Sequence, residues 1–255
     1  LKDAAAHCEF LCWMEKEAAA KTGAVAGVTE LSLARKFEEL RREQKDYVSL
    51  SFETISAVGP HAAVIHYSPT PHTDAALRTD QLYLIDSGAQ YRDGTTDVTR
   101  TICFQEPSEH QKKCNTLMVK GHIALAMQKF PEGTAGIRLD VISRLALWHT
   151  GLDFRHGVGH GVGHFLCCHE GPASMGYRAR CAATEGIKEN FVMTIEPGYY
   201  EDGAFGCRFE NAYAVVATET EHSFPNARFL RFQPLTLVPL QTRLLDPTLL
   251  TPEQV

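Results

Sequence analysis

Long apolar runs are what this chain most plainly lacks. Its apolar stretches fall far short of the ~20 residues that a membrane span needs, so no membrane partner is expected. It also lacks a run of one charge. The 25 Lys and Arg and 31 Asp and Glu are dispersed and leave a net −6, which removes the clustered cationic stripe of a nucleic-acid binder. Paired C-x-x-C spacing is missing as well: the eight cysteines stand at 8, 12, 103, 114, 167, 168, 181 and 207, and none makes the pattern of a structural zinc site. Adjacent Cys167 and Cys168 suit a disulfide framework poorly, and a chain of this size needs none. Reduced thiols and a cytoplasmic, soluble protein are the expectation. No linker or low-complexity stretch divides the 255 residues, so one domain over 1–255 is expected.

What is present is a change of texture along the chain. Residues 1–20 place Leu1, Ala5, Cys8, Leu11 and Cys12 at helical spacing, and a second amphipathic helix is predicted over Leu31–Gln44. Four β-rich segments follow, at Tyr47–Val58, Ala62–Tyr67, Gln81–Asp86 and Asp97–Phe104. Ser108, with Gln111 three residues on, opens a predicted helix to about Phe130. Ile137–His149 is predicted to be another helix, closed by Gly151. Strands are expected at Phe191–Glu196 and Phe205–Val216. Helices and antiparallel-looking strands in blocks give an α+β class.

The chain also echoes itself. Asp86-Ser-Gly-Ala-Gln-Tyr-Arg-Asp-Gly leads to Asp97, and Glu196-Pro-Gly-Tyr-Tyr-Glu-Asp-Gly leads to Glu210. Each unit reads as a strand, an Asp-Gly turn and a returning strand, and paired hairpin residues lie about 5 Å apart. Asp86 is thereby expected beside Asp97, and Glu196 beside Glu210. Asp86 and Glu196 each end an apolar run, so the acids are expected to be buried, where like charges raise one another's pKa unless something positive intervenes. Arg100 and Arg208 are too few for four acids; two divalent cations would suffice. A third segment, His156-Gly-Val-Gly-His160-Gly-Val-Gly-His164-Phe-Leu-Cys-Cys-His169, is too rich in glycine for a helix and reads as a loop or irregular strand pressed against a site. One neutral imidazole with four carboxylates is an oxygen-dominated set that favours Mn²⁺, with Fe²⁺, Co²⁺ or Zn²⁺ as alternatives.

The order Asp, Asp, His, Glu, Glu in these surroundings resembles the pita-bread-fold metallopeptidases, a family that includes methionine aminopeptidase, prolidase and aminopeptidase P. The wording is most similar to the cytosolic Xaa-Pro aminopeptidases. It runs through Ile65-His-Tyr, Asp93-Gly-Thr-Thr-Asp-Val-Thr-Arg-Thr101, His156-Gly-Val-Gly-His-Gly-Val-Gly, His169-Glu-Gly-Pro, Arg208-Phe-Glu-Asn and Gln233-Pro-Leu-Thr-Leu-Val-Pro. The resemblance implies the pseudo-two-fold antiparallel sheet with covering helices that this family shares. It implies Asp86, Asp97, His160, Glu196 and Glu210 as metal ligands, with Asp97 and Glu210 bridging. A hydroxide between the two metals would attack the bond between an N-terminal residue and a following proline, with Glu196 as proton acceptor. His66 and His169 would steady the substrate and oxyanion, His156 would line the proline pocket, and Arg208 would orient a ligand carboxylate. His164 has no such role and is expected to be an ordinary loop histidine. The family further implies peptide substrates, a homodimer and two domains upstream of this catalytic part. Prolidase, another hydrolase of this fold, and a metal-free binding module on it remain the alternatives.

Overall fold

Two helix pairs, each packed on its own antiparallel sheet, account for the architecture; the computed structural model describes residues 1–177 and 186–255. Helix α1 (Lys2–Ala18) buries Asp3, Ala6, His7, Phe10, Met14 and Ala18. This corrects the face predicted from spacing: Leu1 is 91% exposed and Cys12 is also exposed. Bulk and charge pairing decide the outcome. The Phe10 ring stacks on Phe37 with centroids 4.6 Å apart, and buried Asp3 receives the Arg41 guanidinium at 2.9 Å. Helix α2 (Glu30–Arg42) begins at a capping box in which Thr29 and Ser32 satisfy each other's backbone N–H groups, an arrangement worth about 1 kcal/mol.

Helix α3 (Glu109–Ala126) carries the expected Ser108–Gln111 capping box but ends short of Phe130. Lys129–Pro131 instead pairs with Phe229–Arg231 at a sheet edge, because two backbone ladders compete for the segment and the strand buries Phe130. Helix α4 (Gly136–Trp148) is followed by Gly151 at φ +78°, a left-handed turn that glycine adopts without strain. The predicted strand at Ala62–Tyr67 is absent. The chain forms a 3-10 turn over Gly59–Ala63, entered through Gly59 at φ +54° and Pro60, which has no N–H for a ladder.

In the first half, Tyr83–Ser87 lies between Ile55–Val58 and Val98–Ile102. One side of this sheet packs Val58, Tyr83, Ile85 and Ile102 against α1 and α2. In the second half, Val192–Ile195 pairs with Asn211–Thr218 in a six-stranded sheet that also takes in Gly159–Gly161 and Glu170–Met175. Met175, Met193, Ile195 and Val215 join the core beneath α3 and α4, with Leu125 and Leu139. A hairpin of Gly198–Glu201 and Phe205–Arg208 lies between the halves. They are stitched at a seam: the Thr101 hydroxyl donates to the Arg208 carbonyl and accepts from its N–H, both at 3.0 Å, and Glu210 N–H donates to the Thr99 carbonyl at 3.2 Å. The seven cysteines among the described residues are free thiols; Cys181 lies outside the described residues. No described helix is long and apolar enough to cross a membrane.

Candidate metal centre

The four acids and the imidazole singled out above meet at the seam. Strand alternation turns Tyr83 and Ile85 towards the helices and Asp86 to the opposite face. Asp97 precedes the returning strand, Glu196 follows Val192–Ile195, and Glu210 precedes Asn211–Thr218. One ligand atom each of Asp86, Asp97 and Glu210 lies within 4.8 Å of the others, as does one each of His160, Glu196 and Glu210. His160 sits in a strand where glycine is obligatory. A Cβ at Gly159 would stand 2.0 Å from the Thr194 carbonyl, and one at Gly161 would stand 2.3 Å from that of Glu170. Backbone is therefore pressed on backbone, in a short strand where the glycine spacing predicted a loop or irregular strand pressed against a site.

The electrostatics demand positive charge. Burial, reinforced by the charges of Asp97, Glu196 and Asp86, pushes the Glu210 carboxyl well above its ordinary range. Burial also raises Asp86, with Arg208 opposing and Asp97 adding. Burial likewise raises Glu196, with His160 opposing and Asp97 adding. His160 moves to about 9: burial works against its charged form, but the Asp97 and Glu196 carboxylates outweigh it. Its Nδ1–H donates to the Gly161 carbonyl at 2.9 Å, and Nε2 lies 3.4 Å from Asp97 Oδ2 and 3.3 Å from Glu196 Oε1, carrying the proton that these carboxylates stabilise. A bound cation would take that proton's place, and Nδ1 committed to the backbone leaves Nε2 as the ligand atom. Asp86 Oδ1 is buried with no hydrogen-bond partner. Four carboxylates, one lone pair and an orphaned oxygen fit divalent cations on their donor chemistry.

A relay of hydrogen bonds links Asp86 to the cleft. Arg208 Nη2 donates to Asp86 Oδ2 and Nη1 to Tyr200 Oη, both at 2.7 Å. The Tyr200 hydroxyl donates in turn to His156 Nε2 at 2.9 Å, and His156 Nδ1 donates to the Gly157 carbonyl at 2.7 Å. Burial, aided by the Arg208 charge, lowers His156 to about 3. The His156 ring is thus neutral, with both nitrogens committed, and presents a flat wall.

That wall faces a cavity of about 300 Å³, lined also by Phe52, Ile65, His66, His169, Met175 and Tyr177. His66 is on a loop anchored by fully buried Glu30, which accepts from Val58 N–H at 2.7 Å, Tyr67 Oη at 2.8 Å and Ala75 N–H at 3.0 Å. His169 lies with its ring centroid 4.4 Å from that of His160; burial and the His160 charge lower its pKa. His164 is exposed and lines a different cavity. Sequence reasoning missed Tyr200, Thr99 and Cys168. Alternation was a signal for Thr99, two residues from Asp97 on one face; nothing marked Cys168, which sits in a loop.

Comparison with known proteins places this geometry in context. The family model described as metallopeptidase family M24 matches residues 2–217. Aminopeptidase P1 of Lotus japonicus is 43% identical over all of this chain and 41% of its own length. An X-prolyl aminopeptidase structure from Caenorhabditis elegans, described as a cytosolic enzyme with a di-nuclear active site, superposes with a TM-score of 0.92 at 48% identity. It covers 99% of this chain and 40% of its own. Prolidase from Pyrococcus furiosus gives a TM-score of 0.68 at 28% identity, covering 85% of this chain and 60% of its own. The chain therefore spans about two fifths of the length of the curated relatives it matches.

Proposed function

Because the chain belongs to metallopeptidase family M24, we propose that it is the catalytic part of a longer Xaa-Pro aminopeptidase, removing an N-terminal residue from peptides with proline second. The convergence of Asp86, Asp97, His160, Glu196 and Glu210 on one cavity walled by three further histidines carries this reading. Two cations would be held by these five residues, with Asp97 and Glu210 shared; the oxygen-rich set favours Mn²⁺. When bound, such a pair lowers the pKa of water and polarises a carbonyl.

The chain's own groups supply the rest. Glu196, its carboxyl raised by burial, accepts the proton of the attacking water and passes it to the departing proline nitrogen. His169, kept neutral by burial, and His66 donate N–H groups to the substrate carbonyl as it gains charge. The His156 ring offers no hydrogen bond and so accepts a proline ring, which has no N–H to satisfy. Arg208 fixes Asp86 from behind. The exposed apolar residues Ile137, Val141, Leu145 and Trp148, spaced along one side of α4, support pairing of two copies. A cytosolic location accords with the description of the worm enzyme.

The test is release of free arginine from Arg-Pro-Pro by the purified chain, after EDTA and then after Mn²⁺. Mn²⁺-dependent release is expected, and the dipeptide Arg-Pro should remain uncut. Preference for the dipeptide would shift the assignment to prolidase, and an absence of bound metal with an absence of turnover would point to a binding module.

A further inference from the structure

The three most deeply buried acids of the centre are each held from behind by a donor of different strength. Asp86 Oδ2 takes a guanidinium N–H from Arg208 at 2.7 Å, and Glu210 Oε2 takes the Thr99 hydroxyl at 2.7 Å. Asp97 Oδ2 takes the thiol of Cys168 at 3.2 Å. A charged donor makes the strongest such bond, a hydroxyl an intermediate one, and S–H the weakest.

Cys168 is 5% exposed, whereas its neighbour Cys167 is exposed. Its sulfur belongs to none of the groups whose ligand atoms lie mutually within 4.8 Å among the described residues. It therefore stands behind Asp97 and outside the ligand set. The same oxygen lies 3.4 Å from His160 Nε2. Asp97 is thus fixed between a ligand and a thiol, with Asp86 Oδ1 buried and unpartnered in the same cluster.

Building on the two-cation reading above, we propose that Cys168 is a positioning residue for the metal centre. Its thiol holds the Oδ2 edge of Asp97, the acid shared by both cation positions. Its weak grip makes Asp97 the most adjustable of the buried ligands. Partners of ligating groups typically govern 10–100-fold in metal affinity, and a thiol belongs near the lower end of that range.

The experiment is calorimetric titration of the metal-free chain with Co²⁺, together with the visible ligand-field spectrum, for the wild type, C168V and C168S. Expected for C168V is about tenfold weaker Co²⁺ binding and an altered spectrum, with the melting temperature in EDTA unchanged. C168S restores a donor and should recover most of the affinity. C168V with wild-type affinity and spectrum would overturn the proposal. So would a serine variant as impaired as valine with both melting early in EDTA, since that marks a packing role. A wild-type chain that takes up no Co²⁺ would remove the two-cation reading, and this proposal with it, and is recognised without any variant.

Discussion

The two acid-bearing units follow one plan but solve it differently. In the first, the register pairs Asp86 with Thr99 and Ser87 with Val98, so Asp97 is offset from Asp86 along the ladder. In the second, Gly198 pairs with Arg208 and Phe209 N–H reaches the Pro197 carbonyl, so the same register carried on sets Glu196 opposite Glu210. The offset unit uses the short acid and the opposed unit the long one. Arg208 crosses from the second unit to hold Asp86 of the first, and Thr99 crosses back to hold Glu210. Neither unit gathers the candidate ligands alone; each supplies what the other lacks.

Breaking a shared acid should have the largest effect. Asp97→Ala or Glu210→Ala is expected to abolish both Arg-Pro-Pro cleavage and metal retention, read by elemental analysis after dialysis. Retained metal in either variant would contradict sharing. Cutting a cross-support should cost less. Arg208→Met leaves Asp86 unheld, and metal affinity is expected to fall 10–100-fold. Tyr200→Phe, which spares that bond, should keep metal affinity and weaken proline-peptide binding.

The halves also differ in how they bury a histidine. His7 in α1 has no hydrogen-bond partner on either nitrogen, whereas His122 in α3 shares a 2.7 Å hydrogen bond with Tyr213. Burial, with nearby arginines adding, lowers both, His122 to about 3. The folded state thus refuses a proton that the unfolded state accepts below about pH 6.5. The stability these two histidines contribute is expected to be fully present above that pH and to be lost as pH drops, by roughly 1.4 kcal/mol per unit per histidine, for His122 down to about 3, while the raised acids of the centre act in the opposite sense. Urea unfolding in EDTA at pH 7 and pH 5, compared between wild type and His122→Phe, isolates it: the variant should gain stability relative to wild type on going to pH 5. A variant slope equal to the wild type's would refute it. The smallest effect is expected for Thr99→Val, which removes one hydroxyl from Glu210: roughly tenfold or less in metal affinity, consistent with ~1 kcal/mol for such a bond.

Much of this was legible in the sequence because it is local. The Ser108–Gln111 capping box, the Asp-Gly turns and the glycine ladder around His160 announce themselves within a few residues. The ends of apolar runs marked Asp86 as buried, and Glu196 there is half-buried. What escaped depends on which neighbour arrives. The buried face of α1 was misjudged because Asp3 looks polar until Arg41 of α2 meets it. Ala62–Tyr67 looks like a strand until Pro60 and the Glu30 carboxylate hold it as a loop. The offset of Asp97 follows from a ladder register, and Cys168 from loop packing; neither leaves a periodic trace.

The seam has a consequence for how the protein is made. Thr99 and Glu210 are 111 positions apart in the chain. During synthesis the first acid pair leaves the ribosome long before its complement exists. A nascent chain holding only Asp86 and Asp97 has a weak chelating pair and lacks His160. On the two-cation reading, capture would wait until Glu196 and Glu210 are made, and a cation would meet a finished pocket, not a growing one.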